Sequence, residues 1–257
     1  MSRAPQSSGP AAPAAAYDRF AWFYHRYWGS GPDAFAYRIL PVLDRLVLPH
    51  VPAGARILDL CCGDGTLADL LQARGYRVTG VDGSLELLRY ARRTAPDARF
   101  ICADVRRLAL PPVFDAVLCT YDSVNHLMDR AELEAAFRAA AGAVRPGGRF
   151  CFDVNTADGY LARWRGSFSI IADDHVLAAR PRFDPATGVA TFQLALFRQE
   201  EGRWTRTDLT LSQRCHPDAT LREALQAAGF AAVEVSDAER DWGLREPGRA
   251  IYLAVRA

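Results

Sequence analysis

The stretch Ile57-Leu58-Asp59-Leu60-Cys61-Cys62-Gly63-Asp64-Gly65-Thr66, followed by Val78-Thr79-Gly80-Val81-Asp82, decides the fold. It reads as an apolar strand, a glycine turn, the start of a helix, and a second strand ending in an acid. Gly63 and Gly65 let the backbone turn sharply and come close to a ligand. The first N–H groups of a helix opening near Asp64 or Thr66 have no partner inside that helix and suit an anion. Asp82, at the end of the next strand, can accept hydrogen bonds from both hydroxyls of a ribose. Charge-assisted bonds of this kind are worth roughly 1.5–3 kcal/mol each.

Two cofactors fit this outline. Gly63-Asp64-Gly65-Thr66-Leu67-Ala68 matches the G-x-G-x-x-G/A dinucleotide fingerprint, with Asp82 at a suitable distance. Three features point away from NAD. Asp59 stands within the first strand, where that fingerprint has apolar residues only. A second acid, Asp104, follows the apolar segment Phe100-Ile101-Cys102, placed to meet the amino group of an adenine. A long segment also precedes the cofactor strand. The plain alternative is an unliganded βα turn in an ordinary α/β protein.

The acid-x-x-x-Gly-x-Gly turn, with Asp82 and Asp104 after the second and third strands, resembles the motifs of class I S-adenosylmethionine (SAM)-dependent methyltransferases. The resemblance implies a turn, Asp59 to Gly65, passing the methionine carboxylate and ribose. It assigns the ribose hydroxyls to Asp82 and the adenine to Asp104. Gly83 and Val105, which follow these acids, join the same cofactor surface, as do Cys61, Tyr121 and Tyr37. Cys61 departs from the glycine often found at its position, but remains small.

Composition narrows the function classes. The chain has 257 residues, half of them hydrophobic, which suits one elaborated α/β domain with a sizeable core. A formal net charge of +1 offers no basic field for nucleic acid or membrane. Every residue counted as Lys+Arg is Arg. The absence of lysine excludes a Schiff-base lysine, a P-loop lysine and the Lys-Asp-Lys-Glu set of RNA ribose methyltransferases. The six cysteines form no C-x-x-C pair, and five fall in or beside expected core strands. They read as small buried hydrophobes in a reducing compartment. Residues 1–16 are rich in Ala, Pro and Ser, lack the apolar run of a signal peptide, and read as a disordered tail. No apolar run is long enough to span a bilayer, so a cytoplasmic protein, monomer or homodimer, is expected.

Along the chain, residues 17–29 are aromatic-rich and suggest a helix. A Gly-Ser-Gly-Pro break at 29–32 follows, then a second helix to about Val47. Strands are expected near 56–60, 76–81, 98–102, 114–119 and 147–153, with helices near 65–74, 84–95 and 129–143. Ser84 is a candidate N-cap, and Arg145-Pro146-Gly147-Gly148 a turn before the fifth strand. From about 166 to 214 the pattern changes to period-2 segments, Ser167–Ile171, Val176–Phe183, Val189–Gln199 and Trp204–Gln213. Turn residues lie at 184–188 and 200–202. A helix at 218–228 and strands at 231–236 and 250–256 complete the chain. The fold class expected is therefore α/β: a doubly wound, mostly parallel seven-stranded Rossmann-like sheet with an inserted antiparallel sheet. The divisions are a tail (1–16), an N-terminal helical lid (17–50), a SAM-binding core (51–155), an inserted sheet serving as acceptor lid (156–214), and a C-terminal completion of the core sheet (215–257).

The acceptor side belongs at the carboxyl end of the fourth strand, Cys119-Thr120-Tyr121-Asp122-Ser123-Val124-Asn125-His126, next to the switch point. This segment resembles the D-S-x-N-(Tyr/His) stretch of small-molecule methyltransferases that include antibiotic-pathway sugar N-methyltransferases. Tyr24 and Tyr37 have the spacing of two tyrosines in that subgroup. Phe152–Thr156, Gln213–His216 and Gly248–Tyr252 are similar to its later segments. His25 departs from the acid usual there.

Methyl transfer from a sulfonium is an in-line displacement, so aligning the acceptor is the main task, worth roughly 7–11 kcal/mol. A proton must also leave the acceptor. His126 is the candidate general base, or else a hydrogen-bonded structural histidine. Asp122 orients an amine or caps the next turn. Tyr24 closes over the cofactor and acceptor or belongs to the lid core, as does Tyr37 on the cofactor side. Asn125 and Arg214 are candidate substrate contacts, with a strand-end ion pair the alternative for Arg214. No metal is expected. Asp122, Asp153 and Asn155 suggest the Mg²⁺ set of catechol-type enzymes, but Val154 separates an acid and an Asn that are adjacent there. The leading function is methyl transfer from SAM to N or O of a small molecule. Its rivals are a macromolecule methyltransferase, against which stand the missing Asn/Asp-Pro-Pro-Tyr motif and the neutral charge, and a non-catalytic SAM-binding protein.

Overall fold

The computed structural model describes residues 15–257. Of the tail expected at 1–16, residues 1–14 lie outside the described residues. The core begins with β1 (Arg56–Leu60), β2 (Arg77–Asp82), β3 (Arg99–Cys102), β4 (Phe114–Cys119) and β5 (Val144–Asn155). Between them run α3 (Thr66–Gln72), α4 (Leu85–Thr94) and α5 (Arg130–Ala143). Ser84 caps α4 by accepting the Leu87 N–H at 3.1 Å. After α7 (Asp218–Ala227), β10 (Phe230–Asp237) and β11 (Arg249–Arg256) finish the sheet.

The strand order is β10-β11-β5-β4-β1-β2-β3. Only β11 runs against the rest, pairing antiparallel with both β5 and β10. Because β1 sits between β4 and β2, the chain order reverses beside it, and the carboxyl ends of β1 and β4 open onto one crevice. Successive strand residues point to opposite faces. Leu58, Leu60, Phe150 and Phe152 pack with Phe137 of α5 and Leu221 of α7 on one face. Ile57, Leu118 and Ile251 pack with Leu67 and Leu71 of α3 on the other. Leu43, from α2 (Phe35–Leu46), joins this second layer.

Three details differ from expectation. The fifth strand starts at Val144, before the expected turn. Its register jumps from Phe114↔Val144 to Ala116↔Arg149, so the Pro-Gly-Gly residues form a bulge inside the strand rather than a turn ahead of it. The aromatic segment is broken into a 3-10 turn (Ala16–Arg19), a short α1 (Ala21–Tyr24) and a π turn (His25–Gly29). Its aromatic rings pack in several directions at once, which one regular helix cannot serve. Cys102 is exposed on the edge strand β3, whereas Cys62, Cys119 and Cys151 are buried; all six cysteines are free.

A helix not expected from the sequence, α6 (Ala157–Arg163), leads from β5 into the inserted sheet. That sheet has the order β6 (Phe168–Ala172), β7 (His175–Asp184), β8 (Val189–Glu200), β9 (Arg203–Arg214), all antiparallel. The β8–β9 hairpin turns on Glu201 and Gly202, with φ of 49° and 77°, the signs that a two-residue turn of primed type needs. One face of this sheet, through Leu177, Ala179, Leu194 and Leu196, covers Phe20 and Phe23 of the N-terminal segment. The inserted sheet thus holds the aromatic segment over the crevice.

Candidate active site

At the end of β1 the chain turns through Cys61 and Gly63, both with positive φ (56° and 55°), and Gly65 opens α3 at φ 82°. A side chain at Gly65 would meet the Ala91 backbone at 2.9 Å, so the turn is also pinned against α4. At the end of β4, Tyr121 and Asp122 are left-handed as well, with φ of 63° and 48°. Non-glycine residues in this region cost about 1–3 kcal/mol each and concentrate at functional sites. Here the strain lies at the two strand ends that flank the switch point.

The cofactor half is built from acids. Asp59 is 2% exposed, and its Oδ2 has no hydrogen-bond partner. Burial first, and the Asp82 carboxylate second, push it up to about 8. Asp82 accepts the Gly63 N–H at 2.9 Å and the Ser84 N–H at 2.8 Å. Burial nevertheless raises its pKa against the pull of these bonds. Asp104 differs: the Arg106 side chain and backbone N–H both bond its carboxylate, which lowers its pKa. Gly83 is exposed beside Asp82, and Val105 is half-buried after Asp104. Asp59, Cys61, Cys62, Asp64 and Thr66 line a cleft with Tyr121 and Ser123.

The N-terminal segment roofs this cleft. The Tyr24 ring lies 3.4 Å from where a side chain at Gly63 would begin. His25 Nδ1 meets Asp64 Oδ2 at 2.6 Å, and the Thr66 hydroxyl donates to the Gly29 carbonyl at 2.7 Å. Asp18 accepts from the Ser84 hydroxyl at 2.6 Å and from the Glu86 N–H at 3.2 Å, crossing the start of α4. About 50 Å³ of free space remains, room for water but not for a nucleoside. Phe35 and Ala36 also line the cleft; Tyr37 lies outside it, 43% exposed.

The acceptor half is a connected polar network. His126 Nδ1 lies 3.1 Å from the Ser212 carbonyl, which fixes the proton on Nδ1 and makes Nε2 the acceptor of the ring. Nε2 is 3.1 Å from the Tyr17 hydroxyl and 3.1 Å from Gln213 Nε2. Burial lowers the His126 pKa, against an upward pull from Asp122. Burial, then Asp122, raises that of Tyr17, so the hydroxyl stays protonated and donates. Asp122 itself is bonded by Gln213 Nε2 at 2.6 Å and by Arg249 Nη2 at 2.8 Å. Asp153 accepts the backbone N–H groups of Tyr121 (2.7 Å) and Asp122 (2.9 Å), and Arg249 bonds its Oδ2. The oxygens of Asp122 and Asp153 are thus taken by N–H donors. Asn155 Oδ1 accepts from Arg163. The set weighed as a Mg²⁺ site is an ion-pair and hydrogen-bond scaffold.

Asn125 is fully buried and ties strands together. Its amide donates to the Asn155 and Arg214 carbonyls, and its Oδ1 accepts the Asn155 N–H. Arg214 directs its guanidinium to the carbonyls of Met128 and Thr187. Neither lines the cleft. Tyr17, Gln213 and Arg249 are the members that sequence reasoning missed. Tyr17 stood inside the aromatic run without helical periodicity to orient it. Arg249 carried a signal, being a basic residue followed by the apolar run Ala250–Val255 of strand β11.

Residues 57–148 match the family model described as a methyltransferase domain. Over 212 residues the chain is 30% identical to the dTDP-3-amino-3,4,6-trideoxy-alpha-D-glucopyranose N,N-dimethyltransferase of Streptomyces venezuelae, covering 79% of this chain and 86% of the relative. The chain belongs to the class I SAM-dependent methyltransferases. It is also 37% identical over 163 residues to the dTDP-3-amino-3,6-dideoxy-alpha-D-glucopyranose N,N-dimethyltransferase of Streptomyces fradiae, covering 61% of this chain and 63% of that one. The fold matches the sugar N-methyltransferase KedS8 from Streptoalloteichus, with a TM-score of 0.74 at 23% identity, covering 100% of this chain and 98% of that chain. The cofactor of this methyltransferase is SAM, and the chemistry of the cleft's lining suits it, although the closed roof leaves too little volume for it. An orphaned buried carboxylate oxygen at Asp59 suits an ammonium, and Asp82 reaches the glycine turn by accepting the Gly63 N–H.

Proposed function

We propose that this methyltransferase transfers a methyl group to the amine nitrogen of a small molecule, an amino sugar or a close analogue. The observation that carries the reading is the Tyr17–His126 pair at the end of β4. There a neutral imidazole presents an accepting Nε2 to the Tyr17 hydroxyl. In this reading Asp59 holds the methionine ammonium, Asp82 the ribose hydroxyls, and Tyr24 closes the cleft over Gly63. Bound SAM supplies a methyl group already activated on a sulfonium. The remaining work falls to the chain: to align the acceptor nitrogen and to take its proton.

His126 takes that proton at Nε2 once the Tyr17 and Gln213 donors that share its one lone pair give way to the acceptor. A base with a pKa below its ordinary 6.5 suits an ammonium, which gives up its proton near neutral pH, far better than an aliphatic hydroxyl. The amino sugars named for the two Streptomyces relatives have this chemistry. A second feature agrees with a nucleotide-linked acceptor. A groove of about 880 Å³ between α6 and the β7–β8 hairpin is lined by Trp164, Phe183, Arg165, Arg180 and Arg182. Trp164 packs on Phe192, and Phe192 on Trp28, so an aromatic wall joins this groove to the cleft. The inserted sheet is then the acceptor lid.

The test is methyl transfer from SAM to a dTDP-linked 3-amino sugar, followed by mass spectrometry. The wild-type protein should add 14-dalton increments, and His126→Ala should lose about 10²–10⁴ in kcat while retaining SAM affinity. Methylation of phenols with none of amino sugars would overturn the nitrogen assignment. An unchanged rate in His126→Ala would remove the base.

A further inference from the structure

Gln213 lies at the end of β9, is 3% exposed, and belongs to no part of the cofactor cleft. Its amide nitrogen touches two acceptors, Asp122 Oδ2 at 2.6 Å and His126 Nε2 at 3.1 Å. Its amide oxygen accepts from the Tyr160 hydroxyl at 2.8 Å. These contacts fix the orientation of the amide. The hydroxyl of a buried tyrosine donates, so the oxygen must face Tyr160, and the NH₂ group must face the acid and the imidazole. Each hydrogen of the NH₂ is used once.

We propose that Gln213 is a positioning residue that keeps the catalytic base neutral by standing as a double donor between His126 and the Asp122 carboxylate. The inference rests on the reading of His126 as base. A carboxylate that reached an imidazole directly would favour the imidazolium, which cannot accept a proton. With the amide interposed, each acceptor receives an N–H and neither needs a proton. The two acceptors prevent the amide from flipping, because the flipped amide would set its oxygen against both, and the Tyr160 hydroxyl anchors the amide oxygen from the other side. The inserted sheet and α6 therefore set the protonation state of a residue on the β4 loop.

The groups around His126 are accounted for from every side. Tyr17 comes from the N-terminal turn and donates a neutral hydroxyl. Asp122 lies on the same loop as His126, with Arg249 of β11 behind it. Tyr160 of α6 lies beyond Gln213. Arg214, which ends β9, and His216 just beyond it bond the backbone carbonyls of Met128 and Leu127. Of these charges, Asp122 is the one that Gln213 separates from His126.

The experiment reads His126 directly by imidazole ¹⁵N and ¹³C NMR titration in the intact protein, alongside the pH profile of kcat/KM. Gln213→Glu, which keeps the shape and adds a carboxylate, should raise the His126 pKa by at least about one unit and move the acid limb of the profile up equally. That is about a tenfold loss at a pH well below the original pKa. Gln213→Met, which keeps the length and removes both donors, should move it in the same direction by less. If either variant fails to fold, Tyr160→Phe releases the amide with Gln213 intact and should shift the titration upward as well. An unshifted His126 titration in folded Gln213→Glu would overturn the proposal. A shifted titration with an unshifted activity profile would retain the proton-holding role of Gln213 and instead remove His126 as the base. The two readings thus fail separately.

Discussion

The two halves of the crevice treat buried acids in opposite ways. On the acceptor side, Asp122 and Asp153 meet the fully buried guanidinium of Arg249, and two backbone N–H groups fill the rest of Asp153. Burial disfavours the Arg249 charge, but Asp122, Asp153 and Glu246 outweigh that and hold it protonated. On the cofactor side Asp64 meets His25, but among the described residues Asp59 has no cation, one of its oxygens has no partner, and Asp82 has only backbone donors. Paired acids build the scaffold; unpaired acids are where a ligand gains most. The carboxylates at the two strand ends look alike in sequence, and their partners separate them.

The comparison breaks most easily at Arg249. Arg249→Leu leaves two buried carboxylates uncompensated and should cost about 3–5 kcal/mol in a denaturant melt. A loss below 1 kcal/mol would mean that the acceptor-side acids do not depend on this pair. At the cofactor end the opposite pattern is expected. Asp82→Ala should weaken SAM binding at least tenfold, about 1.4 kcal/mol, by calorimetry, with little change in melting. A destabilised apo-protein with unchanged affinity would reverse the assignment of roles.

Asp59 sharpens the contrast through pH. Its folded pKa, raised from 3.8 to about 8, means that the folded state keeps a proton that the unfolded chain has already lost. This acid therefore costs stability progressively as pH rises through that window, with the full cost reached above about 8. A cation arriving at Asp59 displaces the proton. SAM binding should accordingly release protons at pH 7 and strengthen as pH rises toward 8, and Asp59→Asn should flatten both. Equal binding enthalpies in buffers of different ionisation enthalpy would contradict this. The smallest effect belongs to Arg106. Its pair with Asp104 is more than a third exposed on both sides, so Arg106→Ala should change stability by no more than about 1 kcal/mol.

Much of the frame was legible because its signals are local. The apolar run, glycines and acid of 57–82 specify a strand, a turn and a strand by backbone rules alone, and the observed bounds agree to about two residues. The β7–β8 and β8–β9 hairpins were equally readable from their turn residues. The acceptor side was less so. That Asp122 meets Arg249, 127 residues away, and Gln213, 91 residues away, is a property of packing, which no spacing rule conveys. The same limit hid Tyr17: a broken helix has no fixed period, so nothing in 17–29 marked which ring would point at His126. Asp104 looked free in sequence, but Arg106 two residues on takes its carboxylate.

The stretch from Tyr17 to Gly29 touches both halves at once. Asp18 clips to α4, His25 and Gly29 to the glycine turn, and Tyr17 to His126. A cofactor as large as SAM can enter or leave only if this stretch lifts, and lifting it withdraws Tyr17 from the imidazole. If Tyr17 and His126 act as proposed, loading the methyl donor and assembling the proton-accepting pair are therefore one mechanical event. Were the proposed amine to take two methyl groups, it would have to survive the dismantling of its own site between them.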